Sequence, residues 1–370
     1  MAGPGCFYIA GGGTGGHLYP GLAIADALIE QRPDLDIAFI GARRGIERIV
    51  LPTTRWRHEL LDLHPLYRSA PWKNIHTIRG MGSAVSRIRT LVSQRPAIGV
   101  LGTGGYAAGA LLAYARVTGT PYFLQEQNAY AGLTVRLFSP SARATFLGFP
   151  EAASTLPATA RANARFTGNP ITPPPQPRPL TALGRARWGF PEDVRQILLV
   201  FGGSQGSRAI NDAMAAFVAA GELPERWGML WITGPNEHAR LLHHASDRIR
   251  VIAYQQPMAQ AYDSADLAVG RAGAMSTAEL CAWGIPMILV PLPTAAADHQ
   301  TINARALAAH GAAASVLQAS LGSGALGDAI RRICRDAATL ATMGGKARDR
   351  ARVDAAQVIA VQVLESLDLT

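Results

Sequence analysis

A chain of 370 residues, 48% hydrophobic and 16% charged, is long enough for two packed cores and lies well outside the disordered and fibrous classes. No run approaches the roughly 18–20 apolar residues that span a bilayer, and residues 1–5 lack the basic start and apolar stretch of a secretory signal, so a cytosolic protein is expected. The net charge of +9 rests almost wholly on arginine, with Lys73 and Lys346 the only lysines, and Cys6, Cys281 and Cys334 are too few and too scattered for a disulfide framework or a zinc site.

Residues 7–10 are apolar and β-prone. They run into Gly11-Gly12-Gly13-Thr14-Gly15-Gly16-His17, with Pro20 three residues on and a helix-periodic run over 21–29. This is the strand, glycine turn and helix order of a nucleotide-type unit: glycines admit a bulky anion, and a helix N-terminus offers unpaired N–H groups. His17 adds a titratable imidazole to the turn. A second strand covers 37–40. Asp34-Leu35-Asp36 has the spacing of a sugar-nucleotide metal motif, but it precedes that strand, at the wrong end of the sheet, and reads as a surface turn.

Between Asp62 and Glu126 there is no carboxylate, while Arg68, Lys73, Arg79, Arg87, Arg89, Arg95 and Arg116 lie there among Trp72, Ile75 and other apolar residues. Such a segment suits an anionic membrane surface, with Arg68, Trp72, Lys73, Ile75 and Arg79 facing it. It would also attract nucleic acid, and an ordinary basic helix with its apolar side in the core is a further reading.

Strands over 98–101 and 122–125 follow. The first ends in Gly102-Thr103-Gly104-Gly105-Tyr106, a flexible turn able to accept a phosphate before a helix from about Ala107; the second ends in Gln125-Glu126-Gln127-Asn128, suited to a polyhydroxylated ligand. After Gly168-Asn169-Pro170 a proline-rich stretch breaks the pattern and reads as an interdomain linker. The pattern restarts with a strand over 196–201, Gly202-Gly203-Ser204-Gln205-Gly206-Ser207-Arg208 and a helix from about Ala209, then strands over 229–233, 250–253, 267–270 and 286–290. Ser276 or Thr277 can cap a helix whose amides receive a diphosphate, and Glu279, in its first turn, can bond two ribose hydroxyls; a Ser276 and Glu279 capping box is the alternative. Asp298-His299-Gln300 opens another helix with groups able to read sugar hydroxyls. Residues 330–367 read as helical, and the last helix can return to the first domain. The expected fold is α/β, two doubly wound parallel-sheet domains facing across a cleft: 1–167, a linker 168–180, 181–350, and a C-terminal helix in 351–370.

In order and spacing, Gly12 to His17 with Pro20, Gly104-Gly105-Tyr106, Glu126-Gln127-Asn128 with Gly132-Leu133, Gly168-Asn169-Pro170, Gly202 to Gly206, Gly273-Ala274 with Glu279, and His299-Gln300 with Asn303 resemble the MurG family. These are the undecaprenyl-pyrophosphoryl-muramoyl-pentapeptide N-acetylglucosaminyltransferases of peptidoglycan synthesis, and the resemblance covers nearly the whole chain. It implies the GT-B fold and inverting transfer of N-acetylglucosamine from UDP-N-acetylglucosamine to the muramoyl C4 hydroxyl of lipid I, giving lipid II. It implies no metal or other cofactor, no nucleic acid, a peripheral place on the cytoplasmic face of the cell membrane, and other cell-wall enzymes as further partners.

Carried over by residue, the resemblance gives the acceptor Gly13, Thr14, Gly104, Gly105, Tyr106 and Asn128. The donor takes Thr14, Gly15 and Gly16 from the first turn, then Ser204, Gln205, Ala274, Met275, Ser276, Glu279, His299 and Gln300. Catalysis falls to His17 as candidate base, with Glu126 and Asn128 lining the cleft; a single in-line displacement needs a base near the acceptor hydroxyl, and imidazole, with a pKa of about 6.5, suits it. The chain departs from the family at Thr172, where arginine is usual and Arg178, Arg208 or Arg271 can substitute, and at Ala108 and Ala110, where serine and proline are common. Three other readings stand: a same-fold glycosyltransferase with another lipid or natural-product acceptor, an inactive relative, and an NADP-dependent oxidoreductase using Gly11, Gly13, Gly16, Arg43 and Arg44, which explains one domain only.

Overall fold

The computed structural model describes residues 5–64, 74–176 and 181–369, excepting the side chains of 74–79, 81, 181 and 182. The chain forms two compact units, one of Met1–Thr172 with Asp354–Thr370 and one of Pro173–Val353.

The first unit is built on seven parallel strands: β1 Cys6–Ala10, β2 Asp36–Ala42, β3 Arg57–Leu61, β4 Ala97–Gly102, β5 Tyr122–Glu126, β6 Ala144–Leu147 and β7 Ala164–Phe166, in the order β3-β2-β1-β4-β5-β6-β7. β1 is buried throughout because helices cover both faces, so its apolar run needs no polar alternation. Its side chains still divide by face. Tyr8 and Ala10 pack with Ile88, Leu111 and Leu112, whereas Phe7 and Ile9 pack with Ile24, Leu28, Phe39 and, from the far end of the chain, Ile359 and Val363. The latter two lie on the helix Ala355–Ser366, which rests against the helix Gly15–Gln31.

The second unit has six parallel strands: β8 Gln196–Phe201, β9 Trp227–Ile232, β10 Ile249–Ile252, β11 Leu267–Gly270, β12 Met287–Leu289 and β13 Ala313–Ser315, in the order β10-β9-β8-β11-β12-β13. In both sheets β1 or β8 is central and the order reverses beside it, which opens the carboxyl ends of the strands to a ligand.

Several expectations need correction. The first helix starts at Gly15 rather than Gly21, so Gly15, Gly16 and His17 form its first turn; the Thr14 carbonyl accepts from the His17 and Leu18 N–H groups. Gly168-Asn169-Pro170 is not linker. Asn169 is buried in the first unit, where its Oδ1 accepts from Gln125 Nε2 at 3.0 Å and its Nδ2 donates to the Gln127 carbonyl at 2.9 Å. The stretch 330–367 is helical as expected, in three helices, Ala325–Cys334, Ala337–Arg350 and Ala355–Ser366, the second begun by Asp336, whose carboxylate accepts from the Ala338 and Thr339 N–H groups.

Arg68, Trp72 and Lys73 lie outside the described residues, and Ile75 and Arg79 fall in the helix Asn74–Gln94 at positions whose side chains are not described. The basic run is less free in space than in sequence, because Arg87 pairs with Glu59 at 3.0 Å and Arg95 with Asp36 at 2.8 Å. Among the described residues no helix is long and apolar enough to cross a membrane.

Candidate functional site

In the first unit the turns after β1, β4 and β5 meet around His17. The imidazole Nδ1 lies 2.8 Å from Gln127 Oε1 and 3.1 Å from the Thr103 carbonyl. The Gln127 amide is oriented by its own Nε2, which donates to the Thr103 carbonyl at 2.7 Å and to Gln125 Oε1. Both neighbours of Nδ1 are therefore acceptors, so Nδ1 carries a proton, and in the neutral ring the lone pair lies on Nε2. Thr103 Oγ1 donates to the His17 carbonyl at 2.7 Å, fixing the backbone as well as the ring.

The glycines serve this arrangement. A Cβ on Gly104 would come within 2.9 Å of His17 Nδ1, one on Gly105 within 3.2 Å of its Cδ2, and both residues have positive φ, +98° and +74°. Gly13, with φ +90°, lies under the Tyr106 ring, 2.9 Å from its Cε1 to a built Cβ. Thr14 is exposed and makes no side-chain bond to the helix it precedes.

Glu126 has a different task from the catalytic one expected of it. Its Oε1 accepts from Asn128 N at 2.9 Å and Nδ2 at 3.2 Å, and its Oε2 accepts from Gly132 N at 2.8 Å. Both oxygens are engaged and the residue is buried, so Glu126 shapes the turn that presents Asn128. Sequence reasoning missed Glu47. Fully buried, it accepts from Gly13 N at 2.9 Å and Ala42 N at 3.2 Å through Oε1, tying the first glycine turn to the end of β2. Gly12 and Gly45 leave it room, since a Cβ on either would overlap the carboxylate. Asp34 and Asp36 are held by Arg32, Arg57 and Arg95 at the opposite end of the sheet. Among the described residues no group of three or more His, Cys, Asp or Glu could hold a metal, and all three cysteines are free and buried, their thiols pushed up to about 12 mainly by burial.

In the second unit two hollows open at the strand ends. One of about 700 Å³ is lined by Gly203, Arg208, Arg271, Ser276, Gln300 and neighbours; one of about 140 Å³ by Ser204, Tyr254, Tyr262, Ser276 and Glu279 among others. They share Phe201, Gly203 and Ser276, so the end of β8, the glycine turn after it and the helix Ala274–Trp283 serve both. That helix is preceded by Gly273, not by Ser276 or Thr277, and no side chain caps it, so the capping-box reading fails. Glu279 sits in the second turn, not the first, where Tyr262 Oη donates to its Oε2 at 2.7 Å. Burial pushes the Glu279 carboxyl up, and the Tyr262 bond partly offsets that.

Of the other expected residues, Gln300 Oε1 accepts from Leu292 N at 3.0 Å and His299 Nδ1 lies 2.7 Å from the Ala296 carbonyl. Gln205 is exposed on the turn after β8, and Ala274 and Met275 open the helix after β11. Among the arginines considered as replacements for the one absent at Thr172, Arg178 lies outside the described residues. Arg271 is occupied, donating to the Ser207 hydroxyl, Gln318 Oε1 and the Val290 and Pro291 carbonyls. Arg208 is 78% exposed, 3.8 Å from an Asp212 that lies closer to Arg240, and it lines the larger hollow.

Two doubly wound parallel-sheet units with glycine turns at the carboxyl ends of their strands define the GT-B class of glycosyltransferases. The glycosyltransferase family 28 N-terminal domain matches residues 7–147 and the family's C-terminal domain residues 197–359. This chain belongs to glycosyltransferase family 28, and within it to the MurG family. The UDP-N-acetylglucosamine–N-acetylmuramyl-(pentapeptide) pyrophosphoryl-undecaprenol N-acetylglucosamine transferase of Moorella thermoacetica is 37% identical, over 97% of this chain and 98% of its own. The transferase of the same name from Salinibacter ruber is 39% identical over 97% and 96%. The crystal structure of Acinetobacter baumannii MurG superposes with a TM-score of 0.77 at 28% identity, covering 98% of this chain and 100% of that one. The oxidoreductase reading falls with this, and its two arginines are otherwise engaged: Arg43 donates to the Leu60 carbonyl at 3.0 Å and Arg44 faces Asp62 at 3.7 Å.

Proposed function

We propose that this chain moves N-acetylglucosamine from UDP-N-acetylglucosamine to the muramoyl C4 hydroxyl of lipid I, forming lipid II with inversion. The observation that carries the chemistry is His17, its Nδ1 held as a donor by Gln127 and Thr103 and its Nε2 without a partner among the described residues. Nε2 takes the hydroxyl proton as that oxygen attacks the sugar C1 and the bond from C1 to the UDP oxygen breaks. Gly13, Thr14, Gly104, Gly105, Tyr106 and Asn128 form the acceptor side, with Glu126 acting through Asn128.

On the donor side, Ser204, Ser276 and Glu279 take the nucleoside, and Gln205, Ala274, Met275, His299 and Gln300 take the diphosphate and sugar, with Thr14, Gly15 and Gly16 offered from the first unit. Negative charge on the departing diphosphate is stabilised by the N-terminal dipole of the helix Ala274–Trp283, the glycine turn after β8 and Arg208, which stands in for the arginine absent at Thr172. No cofactor is invoked. A lipid acceptor places the enzyme peripherally at the cytoplasmic membrane face; the support is the carboxylate-free sequence around Arg68, Lys73 and Arg79.

The test is transfer of label from radioactive UDP-N-acetylglucosamine to a lipid I analogue, with and without chelator. Chelator-resistant labelled lipid is expected, and donor binding without transfer would move the acceptor to another class. His17→Ala should lower kcat by about a hundredfold or more, the usual contribution of a general base, and near-normal turnover excludes it. Glu279→Ala should raise the donor KM by roughly ten- to a hundredfold, as for lost bonds to a charged group, and lower the melting temperature modestly, because the buried Tyr262 hydroxyl loses its partner.

A further inference from the structure

Tyr262 ends the short helix Ala259–Tyr262 and is 4% exposed. Its ring stands edge-on to Phe201, at the end of β8, with centroids 6.3 Å apart, and tilted against Trp283, the last residue of the helix that carries Glu279, at 6.2 Å. A buried phenol needs a polar partner. Among the described residues that partner is Glu279 Oε2, at 2.7 Å. Burial, and then the Glu279 charge, holds the phenol pKa well above its ordinary 10, so Oη remains a donor at any working pH. The other carboxylate oxygen of Glu279 has no partner among the described residues, and both residues line the hollow shared with Gly203, Ser204, Gln255 and Ser276.

We propose that Tyr262 is a positioning residue for the donor: clamped between Phe201 and Trp283, it pins Glu279 Oε2 so that the remaining oxygen is presented, already ordered, to the ribose hydroxyls of UDP. This rests on the reading of Glu279 as the ribose ligand. A glutamate otherwise rotates about three side-chain bonds, and ordering it before the ligand arrives removes that cost from binding. The same bond opposes the upward push of burial on the Glu279 carboxyl, so it keeps the acceptor ionised to lower pH.

The experiment measures binding of UDP and of 2′,3′-dideoxy-UDP by calorimetry to the full chain and to Tyr262→Phe, Glu279→Ala and the double variant. Phenylalanine keeps the ring packing and removes only the hydroxyl. Tyr262→Phe should weaken UDP about five- to thirtyfold, the effect of losing one such bond, and leave dideoxy-UDP within about twofold. The double variant should bind no worse than Glu279→Ala alone, since the two residues act as one unit. In Tyr262→Phe the acid-side loss of UDP binding should move to higher pH. Equal losses for both nucleotides would make Tyr262 a packing residue and overturn the proposal. So would full UDP affinity in Tyr262→Phe alongside a weak Glu279→Ala. Full UDP affinity in Glu279→Ala would overturn the ribose reading itself.

Discussion

Gly12 and Gly16 stand in one turn and lack side chains for different reasons. A Cβ on Gly12 would overlap the buried Glu47 carboxylate, while one on Gly16 would meet nothing nearer than Thr14 Oγ1 at 3.8 Å, and neither residue has a positive φ. Gly12→Ala must push Glu47 away from Gly13 and Ala42, so it should lower stability by about 1–3 kcal/mol, as overpacking does, and depress turnover by loosening the turn that holds His17. Gly16→Ala should fold with an unchanged or slightly higher midpoint in urea, since alanine favours a helix, yet transfer slowly if the space beside Gly16 belongs to a ligand. Normal turnover in Gly16→Ala would free that space from any role, and an unchanged midpoint in Gly12→Ala would mean Glu47 yields cheaply. The glycine motif was legible because glycine, histidine and proline at fixed spacing announce a turn and an imidazole. Glu47 was not: it lies 34 residues beyond Gly13 in a stretch, Glu47-Arg48-Ile49-Val50, that reads as an ordinary polar helix start, and only the folded sheet brings it under the turn. Gln127 was placed among sugar ligands for its polarity, whereas the structure uses it to orient His17.

Among the elements, the strands legible in sequence were the buried ones with apolar runs, such as β1, β8 and β11. β3 reads Arg-His-Glu-Leu-Leu because it is an edge strand half open to water, and β7 and β13 are three residues each, too short for any period to register. Entry into β11 is governed by Asp266, which also carries no sequence signal. Its N–H donates to the Ile197 carbonyl at 3.0 Å and its carboxylate accepts from the Ile197 N–H at 2.8 Å, stitching β11 to β8. Burial pushes the Asp266 carboxyl up to about 6, opposed by the Ile197 N–H and by Arg185 at 4.0 Å. Between the unfolded value near 3.9 and about 6 the native state therefore holds a proton that the unfolded chain has released, so this group makes the second unit less stable as pH rises through that window, by up to about 3 kcal/mol. Asp266→Asn cannot release the proton and keeps an oxygen for the Ile197 N–H. The difference in urea midpoint, variant minus wild type, should grow from pH 4.5 to 6.5 and then level; a constant difference would place the Asp266 titration in the ordinary carboxylate range.

On the scale of the whole molecule the chain passes from the first unit to the second near Thr172 and returns at Asp354. The sequence supported two α/β domains and a helical end, and the repeated strand, glycine turn and helix order carried that inference. What it did not disclose is how deeply the ends belong to the first unit: Asn169 is tied to Gln125 and Gln127, and Ile359, Ala360 and Val363 are fully buried beside Phe7, Ile9 and Leu28. Apolar periodicity identifies a helix's buried face but not the sheet it covers. Burial of Ile359, Val363 and Leu364 is worth about 1.5–3 kcal/mol each, a sum comparable to the roughly 5–15 kcal/mol that holds a domain folded. A chain ending at Val353 should therefore lose the first unit to proteolysis, while the second, with a core drawn wholly from Pro173–Val353, stays resistant and continues to bind UDP. With His17 of the first unit as the proposed base, such a chain should bind donor and form no product. Protease resistance persisting through residues 5–172 would show that the Gly15–Gln31 face tolerates exposure and that the terminal helix is dispensable. Loss of UDP binding together with the first unit would overturn the expectation that the second unit holds UDP by itself.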